Sequence, residues 1–181
     1  MMLSKIHKDH VNMSKLLKLL KEKIQLLEQD QQIDYRLVKV IITYLKNYSD
    51  KYHHPLEDMI YDYYLKYRVV PDTVANRLSQ EHQLIKEATI ELDELLEMIL
   101  LDAVVPKEQC IDRLKHFVNL QSAHMNYEEK EILPQIEASL SKDDWRKLKE
   151  QWQDDGHSDP LFGEKISEQY KELANRIKQN S

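Results

Sequence analysis

The chain has 181 residues, a formal net charge of −6 with histidines neutral, two glycines and one cysteine. That length fits a single domain with its own core, and acidic, mixed-sign charge without a basic stripe argues against nucleic acid as a partner. The lone Cys110 excludes an internal disulfide, and neither a signal-peptide apolar region nor a membrane-length apolar run occurs, so a soluble cytoplasmic protein is expected.

From Leu3 to about Glu28, the apolar residues Ile6, Met13, Leu16, Leu17, Leu20, Ile24 and Leu27 recur three and four apart, the period of an amphipathic helix. The polar run 29–34 reads as a turn. Leu37, Val40, Ile41, Tyr44, Leu45 and Tyr48 begin a second helix lasting to about Arg68. Pro55 lies inside it and conflicts with the carbonyl of Lys51, which predicts a bend beside His53 and His54.

Pro71 suits the first turn of a third helix to about Asp102, and Pro106 the first turn of a fourth to about Leu140. Ser141 with Asp144 resembles a capping box for a short fifth helix through Gln153. After a loop to Gly163, the spacing of Ile166, Tyr170, Leu173, Ala174 and Ile177 predicts a C-terminal helix. The expected fold is all-α: an up-down-up-down antiparallel four-helix bundle with additional short C-terminal helices. One domain spans 1–181, with the bundle at about 1–140 and a helical cover at about 141–181.

Two histidines, His53 and His124, are each followed four residues later by a glutamate, Glu57 and Glu128. Residues four apart share a helix face, so each pair can aim an imidazole and a carboxylate at one point. Alone, such a pair also reads as a surface ion pair. The spacing around them argues for more, because His10 precedes His53 by 43 residues and His82 precedes His124 by 42. The offset between the halves is 72 for the lone histidines and 71 for the pairs; it also aligns Asp9 with Glu81, Ile6 with Leu78 and Asp58 with Glu129. Internal duplication is the economical explanation.

Antiparallel neighbours bring residues level when they are equidistant from the connecting turn. The midpoints of His10/His53, Glu57/His82 and His82/His124 fall at Gln31–Gln32, Val69–Val70 and Ala103, the three predicted turns. His10, His53, Glu57, His82, His124 and Glu128 are therefore expected in one layer. Six imidazole and carboxylate groups inside a bundle are costly to bury unless metal or dense pairing satisfies them. They exceed a four-ligand zinc site and suit two iron ions, with manganese and zinc as alternatives. If Glu57 and Glu128 both bridge, an oxo or hydroxo bridge leaves about two of the twelve octahedral positions for exogenous ligand.

These residues resemble the hemerythrin-like, or HHE cation-binding, family over nearly the whole chain: a lone His, a His-x-x-x-Glu, a second lone His and a second His-x-x-x-Glu. The pieces are Ile6-His7-Lys8-Asp9-His10, Tyr52-His53-His54-Pro55-Leu56-Glu57-Asp58, Gln80-Glu81-His82 and His124-Met125-Asn126-Tyr127-Glu128-Glu129. Asp159-Pro160-Leu161-Phe162-Gly163 looks like a family tail element. The resemblance implies a non-haem di-iron centre with bridging carboxylates that binds, senses or reacts with oxygen, nitric oxide or peroxide.

Oxygen-carrying members place a fifth histidine one turn from the third-helix histidine, where this chain has Leu78 and Lys86. The reading therefore moves from oxygen carriage toward the six-ligand bacterial proteins of oxidative and nitrosative stress, with an unidentified redox partner. An iron store or donor, and a metal-free structural bundle, are the competing readings. A ferritin-like site would need Glu-x-x-His; the residues three before the four histidines are His7, Asp50, Ser79 and Gln121.

His54, followed four residues later by Asp58, competes with His53; the repeat favours His53, because His54 aligns with Met125. His7 aligns with Ser79 and stays outside the symmetric set. His116 and His157 are expected at the surface, and Asp9 and Glu81 in solvated roles. Tyr48, Tyr52, Tyr61 and Tyr127 are candidates for core packing or for hydrogen bonds behind the ligands. Trp145, Trp152 and Phe162 are assigned to the cover.

Overall fold

Among the residues that the computed structural model describes, 2–67, 72–152 and 158–179, all regular structure is helical and no strand occurs. Helix α1, Met2–Glu28, buries the periodic set Ile6, Met13, Leu16, Leu17, Leu20, Ile24 and Leu27. It ends where Asp30 turns left-handed (φ 58°), with the Gln31 N–H donating to the Leu26 carbonyl at 2.9 Å. Helix α4, Asp72–Leu100, stops the same way: Asp102 has φ 62° and the Ala103 N–H donates to Met98 at 3.0 Å. The two aspartates are 72 residues apart, the spacing of His10 and His82. The duplication read from the histidines thus extends to the helix ends.

Asp34 caps α2, Tyr35–Tyr48, by accepting from the backbone N–H groups of Arg36 and Leu37. The bend expected near Pro55 takes a specific form. Residues Ser49–His53 make a π turn in which the His54 N–H donates to the Ser49 carbonyl, and α3, His54–Tyr67, continues from it. Widening the turn just ahead of Pro55 accommodates a residue that cannot join the regular ladder.

The fourth predicted helix is not continuous to Leu140. Helix α5, Lys107–Tyr127, passes into a second π turn, Glu128–Ile132, where the Leu133 N–H donates to the Glu128 carbonyl; α6, Leu133–Ser139, follows. Pro134 stands two residues past this turn, as Pro55 does past the first. Pro106 precedes α5 as its cap residue. Pro71 and the Val69–Val70 midpoint lie outside the described residues.

Ser141 and Asp144 form the reciprocal capping box that opens α7, Lys142–Gln151. The last amphipathic stretch is helical only from a 3-10 turn at Glu168–Tyr170, which leads into α8, Lys171–Gln179.

Helix α1 packs on α5, α2 on α4, and α4 on α5, while α7 lies on α3 and α8 touches α1 and α2. On the α2–α4 seam, Lys39 and Lys46 both reach the Asp93 carboxylate, at 2.6 and 3.0 Å.

The buried side chains form two separate clusters. One holds Met13, Leu20, Ile41, Leu92, Leu96, Phe117 and, from the C-terminal segment, Tyr170 and Leu173. The other holds Ile6, Leu56, Ile60, Leu78, Ile132 and Ile136, with Trp145 and Trp152 packed against it. Three helical crossings from one cluster to the other pass a predicted site histidine, His10 between Ile6 and Met13, His53 between Tyr48 and Leu56, and His82 between Leu78 and Leu92; a fourth, from Met125 to Ile132, starts beside His124 and passes Glu128.

Candidate metal centre

The structure brings all six predicted side chains together in the layer between the two clusters. Glu57 and Glu128 are fully buried, and His10, His53 and His124 are 3%, 1% and 2% exposed. Glu57 Oε1 lies 3.1 Å from His10 Nε2 and 3.1 Å from His53 Nε2, whereas its Oε2 faces His82 Nε2 at 3.5 Å. Glu128 mirrors it, with Oε2 3.3 Å from His10 Nε2, and Oε1 3.2 Å from His124 Nε2 and 3.8 Å from His82 Nε2. Each carboxylate therefore turns one oxygen toward the His10 half and the other toward the His82–His124 half.

The one-residue difference between the halves has a structural cause. A π turn holds one more residue than the α turn it replaces. The first π turn lies between Asp34 and Glu57, upstream of the carboxylate; the second begins at Glu128 itself. The extra residue of the first half is absorbed there, so His53 and His124 reach one layer although the repeat offset changes from 72 to 71.

Behind each of the four imidazoles stands a second carboxylate. His10 Nδ1 lies 2.7 Å from Glu129 Oε1, His53 Nδ1 3.4 Å from Asp9 Oδ2, His82 Nδ1 2.8 Å from Asp58 Oδ1, and His124 Nδ1 2.9 Å from Glu81 Oε2. An ionised carboxylate only accepts, so the Nδ1–H donates outward and Nε2 is left facing the centre. The wiring obeys the repeat: Asp9 and Glu81 serve the histidine of the pair in their own half, and Asp58 and Glu129 serve the lone histidine of the other half.

Asp9 and Glu81 are thus not the solvated residues that the sequence led us to expect. Asp9 is 5% exposed and Glu81 is half-buried. Each points away from the histidine next to it in sequence, as a helical step of about 100° requires, and so meets an imidazole on a neighbouring helix. The alignment of Asp9 with Glu81 and of Asp58 with Glu129 was the available signal.

Tyr61 donates its hydroxyl to Glu128 Oε1 at 2.7 Å, and Tyr48 donates to Asp9 Oδ1 at 3.3 Å while accepting from Lys5. His7 meets Glu129 Oε2 from the outside, 65% exposed. His116 is exposed as expected, and His157 lies outside the described residues. His54 stacks on His82 with ring centroids 4.3 Å apart, and its ligand atom groups with those of Glu57, His82 and His124, whereas that of His53 groups with His10 and Glu57.

Burial disfavours charge on every one of these histidines, yet the carboxylates outweigh it for those that face them. Glu128 and Glu57 hold His10 up to about 11, and Asp58, Glu128 and Glu57 hold His82 up to about 12. Glu128 and Glu81 hold His124 up to about 9, and Glu57 and Asp9 raise His53. His54 goes the other way, because burial and the neighbouring His82 and His53 push it well below its ordinary value. Against the cost of burial, His53 and His10 hold Glu57 well below the ordinary carboxylate range; His10 and His124 do the same for Glu128. Burial and both glutamates raise the Tyr61 hydroxyl, which keeps its proton.

The donor set fits cations. Donors on one ion at bonds of about 2.0–2.2 Å are about 3 Å apart when adjacent and about 4.4 Å when opposite. The ligand atoms of His10, His53 and Glu57 fall within 4.8 Å of one another, as do those of His54, Glu57, His82 and His124, and the two groups share Glu57. Glu57 Oε2 and Glu128 Oε2 are buried without a hydrogen-bonding partner among the described residues. His82 Nε2 and His124 Nε2 lie 3.0 Å apart, both turned toward Glu128. Buried groups left in this state are costly as a purely hydrogen-bonded network.

A family model for the Hemerythrin HHE cation binding domain matches residues 1–136. No curated protein and no solved structure matches the chain.

Proposed function

Because the chain belongs to the hemerythrin HHE cation-binding family, we propose that it is a non-haem di-iron protein that binds, senses or reacts with oxygen, nitric oxide or peroxide. The observation that carries this reading is the centre's two-sided wiring: four imidazoles with Nε2 turned inward, Nδ1 anchored on carboxylates, around two buried glutamates that each face both halves. His10 and His53 would hold one ion and His82 and His124 the other, with Glu57 and Glu128, which face both halves, shared between them. The outer carboxylates Asp9, Asp58, Glu81 and Glu129 orient the rings and make them better donors.

Iron bound here supplies open coordination positions and one-electron redox changes. The chain's own residues set the conditions around it. Tyr61 keeps a proton at its hydroxyl next to Glu128, and the two apolar clusters exclude water from either end of the layer.

The four helical runs are part of the same reading, arranged as an up-down-up-down bundle; the contacts of α1 with α5, α5 with α4, and α4 with α2 support it. So is a cytoplasmic location, in keeping with a buried lone Cys110 and with described helices none of which is long and apolar enough to cross a membrane.

Anaerobic loading with ferrous iron, followed by elemental analysis and exposure to oxygen, nitric oxide or peroxide, tests this. Two irons per chain and a changed visible spectrum are expected. Stoichiometric iron that stays spectroscopically silent to all three would instead support an iron store, and absence of any bound metal would end both readings.

A further inference from the structure

The two halves of the centre differ in their access to solvent. On the His10–His53 side, both rings are almost wholly buried. On the other side, a cleft of about 450 Å³ opens between α3 and α4, with His54, Tyr61 and His82 at its floor and Ser79, Gln83 and Lys86 along its α4 edge. Its floor residues touch the centre directly: the His82 ring is 10% exposed, and Tyr61 bonds to Glu128. The volume lies within the roughly 300–1,000 Å³ usual for small-ligand pockets, more than a diatomic molecule needs.

We propose that this α3–α4 cleft is the port by which exogenous ligand reaches the centre, that it delivers ligand to the His82–His124 half, and that it favours small uncharged molecules over anions. The charge preference follows from the exposed lining, which sets Asp58 and Asp62 against one lysine, Lys86. Leu65, Leu78 and Pro55 give the walls apolar surface. The proposal rests on the di-iron reading and adds to it a direction of entry and a ligand class.

Ser79 and Gln83 are exposed, so Ser79→Trp and Gln83→Trp fill the mouth from outside without disturbing either core; Glu94→Trp, exposed on α4 away from the cleft, is the control. Each iron-loaded variant is checked for iron content and then mixed in stopped flow with nitric oxide or with azide. A port slows entry and exit together, so association and dissociation rates should both fall about tenfold at unchanged equilibrium affinity. In a second variant, Asp62→Lys, the azide association rate should rise several-fold, with nitric oxide unaffected, because only the anion responds to the field at the mouth.

Iron-replete Ser79→Trp and Gln83→Trp proteins with the rates of the Glu94→Trp control would overturn the port, as would an unchanged azide rate in Asp62→Lys its preference for uncharged ligands. A wild-type protein that holds no iron would overturn the di-iron reading and the port with it.

Discussion

His10 and Glu129, 119 residues apart, are joined through Nδ1 and Oε1 at 2.7 Å, so that a residue from the second half of the chain aims a histidine of the first. Asp58 does the reverse for His82. Acids outside the centre therefore tie the halves together as well as the two glutamates within it.

Glu129→Gln and Asp58→Asn should each weaken iron binding by about 10–100-fold. Competition against a chelator of known affinity measures this. Wild-type affinity in both would remove the orienting role of these carboxylates.

His53→Ala should lose one of two iron equivalents, because its Nε2 stands 3.1 Å from Glu57 Oε1 and its Nδ1 is anchored on Asp9. His54→Ala should keep both, since its ring lines the cleft and stacks on His82. Elemental analysis of the two purified variants decides between them. Loss of iron from His54→Ala alone would make it the ligand in place of His53.

Protons and metal compete for the same imidazoles. In protein stripped by chelator, His10 and His124 are raised from 6.5 to about 11 and about 9. Their stabilisation is complete below the unfolded value and is lost as pH rises through about 9 and then about 11. Glu57 and Glu128 are depressed from 4.5, so their contribution is present above that value and is lost as pH falls through their lowered folded values. The melting temperature of stripped protein should therefore decline between about pH 7 and about pH 11, whereas iron loading at neutral pH should release protons, because the metal takes neutral imidazole. Calorimetry and a pH-indicator dye measure the two effects. A flat melting temperature over that range would contradict the charge balance described.

Much of this was legible in the sequence. The three-and-four spacing from Ile6 to Leu27 marked a helix that the structure forms almost to the residue, and equal distances from the turns brought six distant side chains to one level. Asp9 and Glu81 were misread because a helical wheel shows only which way a side chain leaves its own helix; its partner stands on the next one. The second π turn was missed for a different reason. Pro134 follows the glutamate where Pro55 precedes Glu57, so the repeat that revealed the centre gave no cue to it.

The first π turn should make the chain tolerant of a shorter register. Removing Lys51 together with Pro55→Ala lets the turn close to regular α-helix, with His53 still in the layer, and iron content should survive. Removing the exposed Asn119 from α5, where no π turn lies ahead of His124 to absorb the change, should abolish it. Equal loss in both variants would argue against the turn as the buffer.

Gly163 closes the segment that carries Asp159, whose carboxylate accepts from the Tyr44 hydroxyl at 3.0 Å and from the N–H groups of Leu161 and Phe162. A Cβ at Gly163 would stand 2.3 Å from the Asp159 carbonyl oxygen and 2.5 Å from Ser158 Oγ. Gly163→Ala should cost about 1–3 kcal/mol, read by urea denaturation. A change within about 0.5 kcal/mol would show that this turn relaxes freely.

The split of the apolar interior into two clusters with a polar layer between them bears on cooperativity. An uninterrupted core melts as one unit because each part buries the next. Here the layer is the joint between two such parts, and its ligands come from segments that enter both. Filled with metal, the joint should transmit unfolding from one cluster to the other, so that the protein melts in a single transition. Stripped of metal, the clusters are coupled by the helices that run through the layer and by proton-sharing side chains, a weaker joint that should broaden the transition.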